Sequence, residues 1–68
     1  MTDPQITQIK QLEETVRQLI RQTADMREEA KRTKDLKLRK ILLEAADGCE
    51  VSAQNLAAGL RGMRENLQ

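Results

Sequence analysis

Apolar residues, with two threonines among them, recur along this chain at alternating spacings of three and four positions. The first run comprises Ile9, Leu12, Val16, Leu19, Thr23, Met26, Ala30 and Thr33. The second comprises Leu42, Ala46, Cys49, Ala53, Leu56, Leu60, Met63 and Leu67. Such spacing places each run on one side of a helix, as at the a and d positions of a heptad. The pattern predicts two long amphipathic helices, each with an apolar stripe that we call its seam.

The two seams are out of frame with each other. Continued past Thr33, the first seam would fall on charged residues, whereas the second seam begins at Leu42, displaced by two positions. A continuous coiled coil absorbs insertions of three or four residues, and a displacement of two is neither. We therefore expect an all-α, antiparallel helical hairpin that forms a single domain over residues 1–68. Helix 1 is predicted at about 4–33, the turn at about 33–36 and helix 2 at about 36–67.

Residues that cap helices stand at both predicted helix starts. Asp3 precedes Pro4, a pair typical of the first turn of a helix. Thr33 or Asp35 could cap the second helix. From Gln5 to Thr33 there is no glycine or proline to interrupt the first helix.

A rival interpretation breaks the chain at Asp47–Gly48. There, glycine would end one helix of over 40 residues, and Ser52 would cap a second, short helix. We favour the reversal near Lys34 because the second seam continues through Gly48 without losing its period. A single glycine costs only about 1 kcal/mol in a helix interior.

Length and composition exclude several kinds of chemistry. The chain has 68 residues, no histidine, no aromatic residue and one cysteine. It can form no intramolecular disulfide, no ordinary zinc site and no catalytic pair that depends on histidine. No glycine-rich phosphate loop is present. We expect no enzymatic activity, no cofactor, no metal and no small-molecule substrate.

A hairpin of this size has a marginal core, so association with another helical protein is the expected source of further stability. Leu36, Leu38 and Ile41 point in several directions around helix 2, and residues 51–60 carry no charge. One partner helix cannot cover so much apolar surface. We predict a homodimeric four-helix bundle, or docking on another protein's helices, as an adaptor, co-chaperone or small regulator. The predicted core and interface are Ile9, Leu12, Val16, Leu19, Met26, Leu42, Ala46, Cys49, Ala53, Leu56, Leu60, Met63 and Leu67.

Charge is balanced over the whole chain and uneven along it. Twelve basic and 11 acidic residues give a net charge of +1. Residues 27–40, around the predicted turn, contain only three acidic residues. The same segment contains seven basic ones: Arg27, Lys31, Arg32, Lys34, Lys37, Arg39 and Lys40. These basic residues could form an anion-binding tip, and the alternative function is therefore nucleic-acid binding through that tip. Base stacking would not contribute, because the chain has no aromatic side chain. Elsewhere, Glu13 with Arg17 and Glu28 with Arg32 have the spacing of ion pairs within a helix.

Two further expectations concern the cysteine and the location of the protein. Cys49 falls on the second seam between acidic neighbours, which indicates a small buried side chain rather than an activated thiol. The amino terminus has no basic segment followed by an apolar run, and no apolar stretch is long enough to span a membrane. We therefore expect a cytoplasmic protein that does not act at membranes.

Overall fold

The computed structural model describes residues 3–66, and over those residues it contains two α-helices and no strand. Helix α1 spans Pro4–Arg32 and helix α2 spans Leu36–Asn66. The two pack against each other in opposite directions, so the all-helical hairpin is confirmed. α2 continues through Gly48, where the rival interpretation placed a break. Leu67, the last residue of the predicted core, lies outside the described residues.

Both ends of α1 are closed by local hydrogen bonds. Asp3 adopts an extended conformation, and its Oδ1 accepts a hydrogen bond from the backbone N–H of Gln5 at 2.9 Å, with Pro4 in the first turn. This is the N-cap that the sequence predicts. At the other end Thr33 leaves the helical conformation, and its N–H donates to the carbonyl of Glu29 at 3.0 Å.

The turn reverses the chain without glycine because side chains satisfy its backbone groups. Thr33 Oγ1 accepts a hydrogen bond from the N–H of Asp35 at 3.2 Å. Asp35 Oδ1 then accepts from the N–H groups of Lys37 and Leu38, at 3.0 and 3.3 Å. Asp35 is thus the N-cap of α2, and Thr33 serves the turn rather than the helix. Of the two residues that could have capped α2, the structure selects Asp35.

The seams lie between the helices. Six seam residues are buried: Ile9, Thr23, Ala30, Ala46, Ala53 and Leu60. Nine are half-buried: Leu12, Val16, Leu19, Met26, Thr33, Leu42, Cys49, Leu56 and Met63. Small side chains dominate the buried set, which lets the two helix backbones approach closely. Thr23 is the single buried polar side chain in the described part of the chain. Its Oγ1 donates to the carbonyl of Leu19 at 2.8 Å.

The hairpin is only one helix thick. Its principal dimensions are 52 × 20 × 11 Å, and 11 Å is the diameter of a single helix with its side chains. The chain exposes 5558 Å². A folded monomer of 7.8 kDa typically exposes roughly 4,400 Å², so this chain carries an excess of about 1,200 Å². The helices cover each other along one edge and leave both broad sides to the solvent.

Candidate protein-interaction surface

One broad side of the hairpin is formed by the residues that directly follow a seam residue in either helix. We call it the groove face, because a groove of about 340 Å³ runs between the helices there. The groove is lined by Val16, Ile20, Thr23, Ala24, Arg27, Glu50, Ala53, Gln54 and Ala57. Its floor is mostly small and apolar, whereas Ile20 at its edge is 57% exposed. The groove face therefore presents a projecting apolar side chain beside a shallow apolar hollow.

Ion pairs between the helices bound the groove at both ends. Towards the turn, Arg27 Nη2 lies 2.5 Å from Glu50 Oε2 and 3.4 Å from Asp47 Oδ1. Towards the open end, Arg64 donates a hydrogen bond to Glu13. These contacts fix which residues of the two helices stand opposite each other, and they leave the apolar floor between them.

The ion pairs also shift two pKa values. The hydrogen bond from Arg64 holds the pKa of Glu13 below its ordinary value, against the opposing effect of partial burial. The hydrogen bond to Glu50 raises the pKa of Arg27. Both shifts favour the charged forms, so each pair persists at neutral pH.

The pairing of Glu13 differs from the sequence prediction. Arg17 binds Glu14 at 2.7 Å within α1, and Glu13 crosses to Arg64 of α2 instead. Glu13 directly follows Leu12 and so stands beside the seam, where a residue of the opposite helix is within reach. The predicted pair of Glu28 with Arg32 is present at 3.6 Å.

Several groove residues were not predicted as a surface. Ala24, Gln54 and Ala57 lie off both seams, and none of them is charged or large. The signal that identifies them is their position: each directly follows a seam residue. In an antiparallel pair of helices, such positions from the two helices meet on one side of the helix–helix interface. Exposed Leu43 directly follows Leu42 of the second seam. Exposed Ile6 and Leu36 follow positions 5 and 35, which the three-and-four spacing of the seams reaches when it is continued towards the amino end of each helix. All three extend the apolar character along the groove face.

The opposite broad side is formed by residues that directly precede a seam residue, and there the two helices differ. α1 supplies only polar side chains, all exposed: Gln8, Gln11, Thr15, Gln18, Gln22, Asp25, Glu29 and Arg32. α2 supplies Ile41 and a series of small residues that includes Gly48, Gly59 and Gly62. A Cβ atom at any of the three glycines would meet nothing within 4 Å. Packing within the hairpin therefore does not require glycine at these positions.

The seven basic residues of the predicted anion-binding tip fall into two groups: those bound within the hairpin and those exposed without an ion-pair partner among the described residues. Arg27 pairs with Glu50 and Asp47, and Arg32 pairs with Glu28. Four lysines are exposed and, among residues 3–66, have no carboxylate partner within ion-pair distance: Lys31, Lys34, Lys37 and Lys40. We call these four the tip lysines. They are the part of the predicted set that remains open to an external anion.

Arg39 also forms hydrogen bonds within the hairpin, although it has no acidic partner among the described residues. Its Nε donates to the carbonyl of Ala30 at 3.0 Å, and its Nη2 donates to the carbonyl of Thr33 at 2.7 Å. The last carbonyls of a helix have no partner within the helix. A half-buried guanidinium from α2 thus supplies hydrogen bonds to the last carbonyls of α1, a role that no local sequence motif indicates.

Cys49 lies half-buried in the interface between the helices. Its Sγ is 3.2 Å from the carbonyl oxygen of Leu19, to which Thr23 also donates. The thiol is free. Its surroundings are those of a small side chain that fills the seam and donates a weak hydrogen bond.

Three further observations bear on function. No group of three or more cysteine, aspartate or glutamate side chains in residues 3–66 could hold a metal ion. In the same part of the chain, neither helix combines the length and apolar character needed to cross a membrane. Comparison with protein-family models, curated proteins and solved structures finds no match to this chain.

Proposed function

We propose that this chain is a non-enzymatic helical interaction module that docks its apolar helix faces against helices of a second copy or of another protein. Its role would be that of an adaptor, co-chaperone or small regulator. The observation that carries the proposal is the uncovered apolar surface of a single-layer hairpin. Within residues 3–66, seven large apolar side chains are exposed: Ile6, Ile20, Leu36, Leu38, Ile41, Leu43 and Val51.

The amount of exposed surface supports the same conclusion. The excess over a typical monomer is about 1,200 Å², whereas a stable complex buries about 800 Å² on each partner. Monomeric soluble proteins rarely leave contiguous apolar patches of more than a few hundred Å² exposed. A layer of helices packed onto this one would bury the surplus.

Sedimentation equilibrium combined with circular dichroism at micromolar concentration tests the proposal. We expect a helical species of at least twice the 7.8 kDa mass of the chain, with helicity that falls on dilution. A fully helical monomer that is stable throughout the concentration range would contradict the proposal, because the hairpin would then need no partner.

A second candidate function, nucleic-acid binding, is favoured by the tip lysines alone. If four lysines neutralise four phosphates of duplex DNA, affinity should fall about 100-fold between 50 and 200 mM salt. Fluorescence anisotropy with a labelled duplex would measure this slope. Lys34→Gln combined with Lys37→Gln should flatten it, and Lys10→Gln, away from the turn, is the matched control. Absence of binding at low salt would exclude this function.

A further inference from the structure

We infer that a second copy of this chain covers the groove face, in antiparallel orientation, about a two-fold axis that passes through the groove beside Ile20. The inference rests on the proposed function and makes it specific, because it names the surface, the occupant and the orientation. Four features of the hairpin support it.

The first feature is that the groove face complements itself. A two-fold interface brings the same patch of both copies together, so that patch must contain both the projection and the hollow that receives it. Ile20 projects from α1 at the edge of the groove, and Ala24, Ala53 and Ala57 form a floor without large side chains. Rotation about an axis beside Ile20 places the isoleucine of each copy over the floor of the other.

The second feature is the position of the groove along the hairpin. Its lining residues lie at 16–27 of α1 and 50–57 of α2, near the middle of each helix. A two-fold axis through the middle of a 52 Å body makes the two copies overlap along their whole length. Full overlap brings Leu36 and Leu43 of one copy towards Ile6 of the other. The exposed apolar residues of the groove face would all be covered.

The third feature is the contrast between the two broad sides. On the groove face, charged residues such as Arg17, Lys31 and Arg61 stand among the apolar ones. Even so, each helix supplies two exposed large apolar side chains there: Ile6 and Ile20 from α1, and Leu36 and Leu43 from α2. On the opposite side, α1 supplies only polar ones, among them Gln8, Gln22 and Glu29, and all of these are exposed. A second hairpin on that side could bury apolar surface of α2 alone. The groove face is therefore the side on which a two-helix partner removes the most apolar surface from water.

The fourth feature is the distribution of charge, which selects the antiparallel orientation. Residues 27–40 contain seven basic and three acidic side chains, a net charge of +4. The open end of the hairpin, residues 3–20 and 55–66, contains four basic and four acidic side chains and is neutral. A parallel pair would stack one +4 tip on the other. An antiparallel pair places each tip over the opposite end of its partner and separates the like charges.

Two isoleucines provide a matched test of the surface. Ile20 is 57% exposed on the groove face, and Ile41 is 61% exposed on the opposite side. Ile20→Glu puts a charge over the apolar floor of the partner's groove, twice in each dimer, so we expect the dimer dissociation constant to rise at least 100-fold. Ile41→Glu should change it by less than about 3-fold. Sedimentation equilibrium gives the constants, and circular dichroism reports whether each variant is folded.

Distances between copies test the orientation without altering the groove floor. In a Cys49→Ala background, one chain carries a nitroxide at Ile6→Cys and the other carries one at Leu36→Cys. At 1.5 Å per residue, an antiparallel dimer puts these labels within about 25 Å of each other and puts two Leu36→Cys labels about 40 Å apart. A parallel dimer would bring the two Leu36→Cys labels together instead, which would overturn the inference.

The outcomes separate the inference from the function on which it rests. A dimer that tolerates Ile20→Glu and dissociates with Ile41→Glu would overturn the inference and leave the interaction module intact. A stable helical monomer would overturn both. If Ile20→Glu fails to fold, the label distances in the chain with isoleucine at position 20 decide the matter.

Discussion

The two helices are nearly equal in length, but they differ in glycine content and in the number of exposed large apolar side chains. α1 contains no glycine, and only two of its large apolar side chains, Ile6 and Ile20, are exposed. α2 contains three glycines within its helix and an uncharged stretch over residues 51–60. It also exposes five large apolar residues: Leu36, Leu38, Ile41, Leu43 and Val51.

This difference indicates a division of roles. Local propensity favours α1, because straight-chain residues fill its exposed positions and no glycine weakens it. α2 has weaker local propensity and more exposed apolar surface, so its stability depends more on what packs against it. α1 therefore acts as the support of the hairpin, and α2 carries most of its exposed large apolar side chains.

The largest effect is expected at Leu60, the one leucine of α2 that is buried, at 5% exposure. Leu60→Ala removes a packed side chain and leaves a cavity, so the free energy of unfolding should fall by about 2–5 kcal/mol. Leu38→Ala, in the same helix at 40% exposure, is the matched control and should cost less than about 1 kcal/mol. Thermal and urea unfolding at one fixed protein concentration would measure both. Equal losses would mean that α2 is not anchored through its seam.

The second prediction tests whether α1 supports itself. Arg39 of α2 donates to the carbonyls of Ala30 and Thr33, so Arg39→Ala should lower the free energy of unfolding by about 1–2 kcal/mol. Lysine has no planar fork, so Arg39→Lys should recover little of this loss. Hydrogen exchange should become faster at the last turn of α1 in both variants. Lys40→Ala is the control, and unchanged exchange in the Arg39 variants would show that α1 closes its own end.

The seam pattern contained most of the fold. Heptad spacing identified both helices, and the two-residue displacement between the seams indicated a reversal between Thr33 and Asp35, where the structure has its turn. Periodicity predicts these features well because the spacing of apolar positions directly encodes the buried side of a helix. It also argued for a helix that continues through Gly48, although glycine has low helix propensity.

The candidate surface was less predictable, for physical reasons. Which cross-helix partner Glu13 or Arg39 selects depends on the register of the hairpin and on the rotamers of long side chains. Neither the register nor the rotamers can be predicted from the local sequence. A groove is a gap left where small side chains such as Ala24 and Ala57 stand between larger ones. Its position follows only once the helices are packed against each other.

The third prediction addresses the glycines that weaken α2. A Cβ at Gly48 meets no atom within 4 Å, so Gly48→Ala should raise the free energy of unfolding by about 0.5–1 kcal/mol through helix propensity alone. Ala58→Gly, exposed in the same helix, is the reverse control and should lower it by a similar amount. Urea unfolding at fixed protein concentration measures both. A loss of stability from Gly48→Ala would show that another molecule approaches α2 closely at this position.

The last prediction concerns the ion pair by which Glu13 of α1 holds Arg64 near the end of α2. The pKa of Glu13 is lowered in the folded protein, below its ordinary value of 4.5. A carboxylate with a lowered folded-state pKa stabilises the protein above its unfolded-state pKa, and this contribution disappears as the pH falls through the folded value. Glu13→Gln keeps the shape and a hydrogen-bond acceptor but never carries the charge. It should therefore be less stable than the parent chain at pH 7, and the difference should shrink steadily below about pH 4.5.

Arg64→Gln should show the same dependence of stability on pH. The double variant should lose little more stability than either single one, because both substitutions remove the same interaction. Urea unfolding of the four chains between pH 7 and pH 3 would measure this. A difference that stays constant over that range would mean that the charge of Glu13 contributes nothing to joining the two helices, and that α2 is held to α1 by its seam alone.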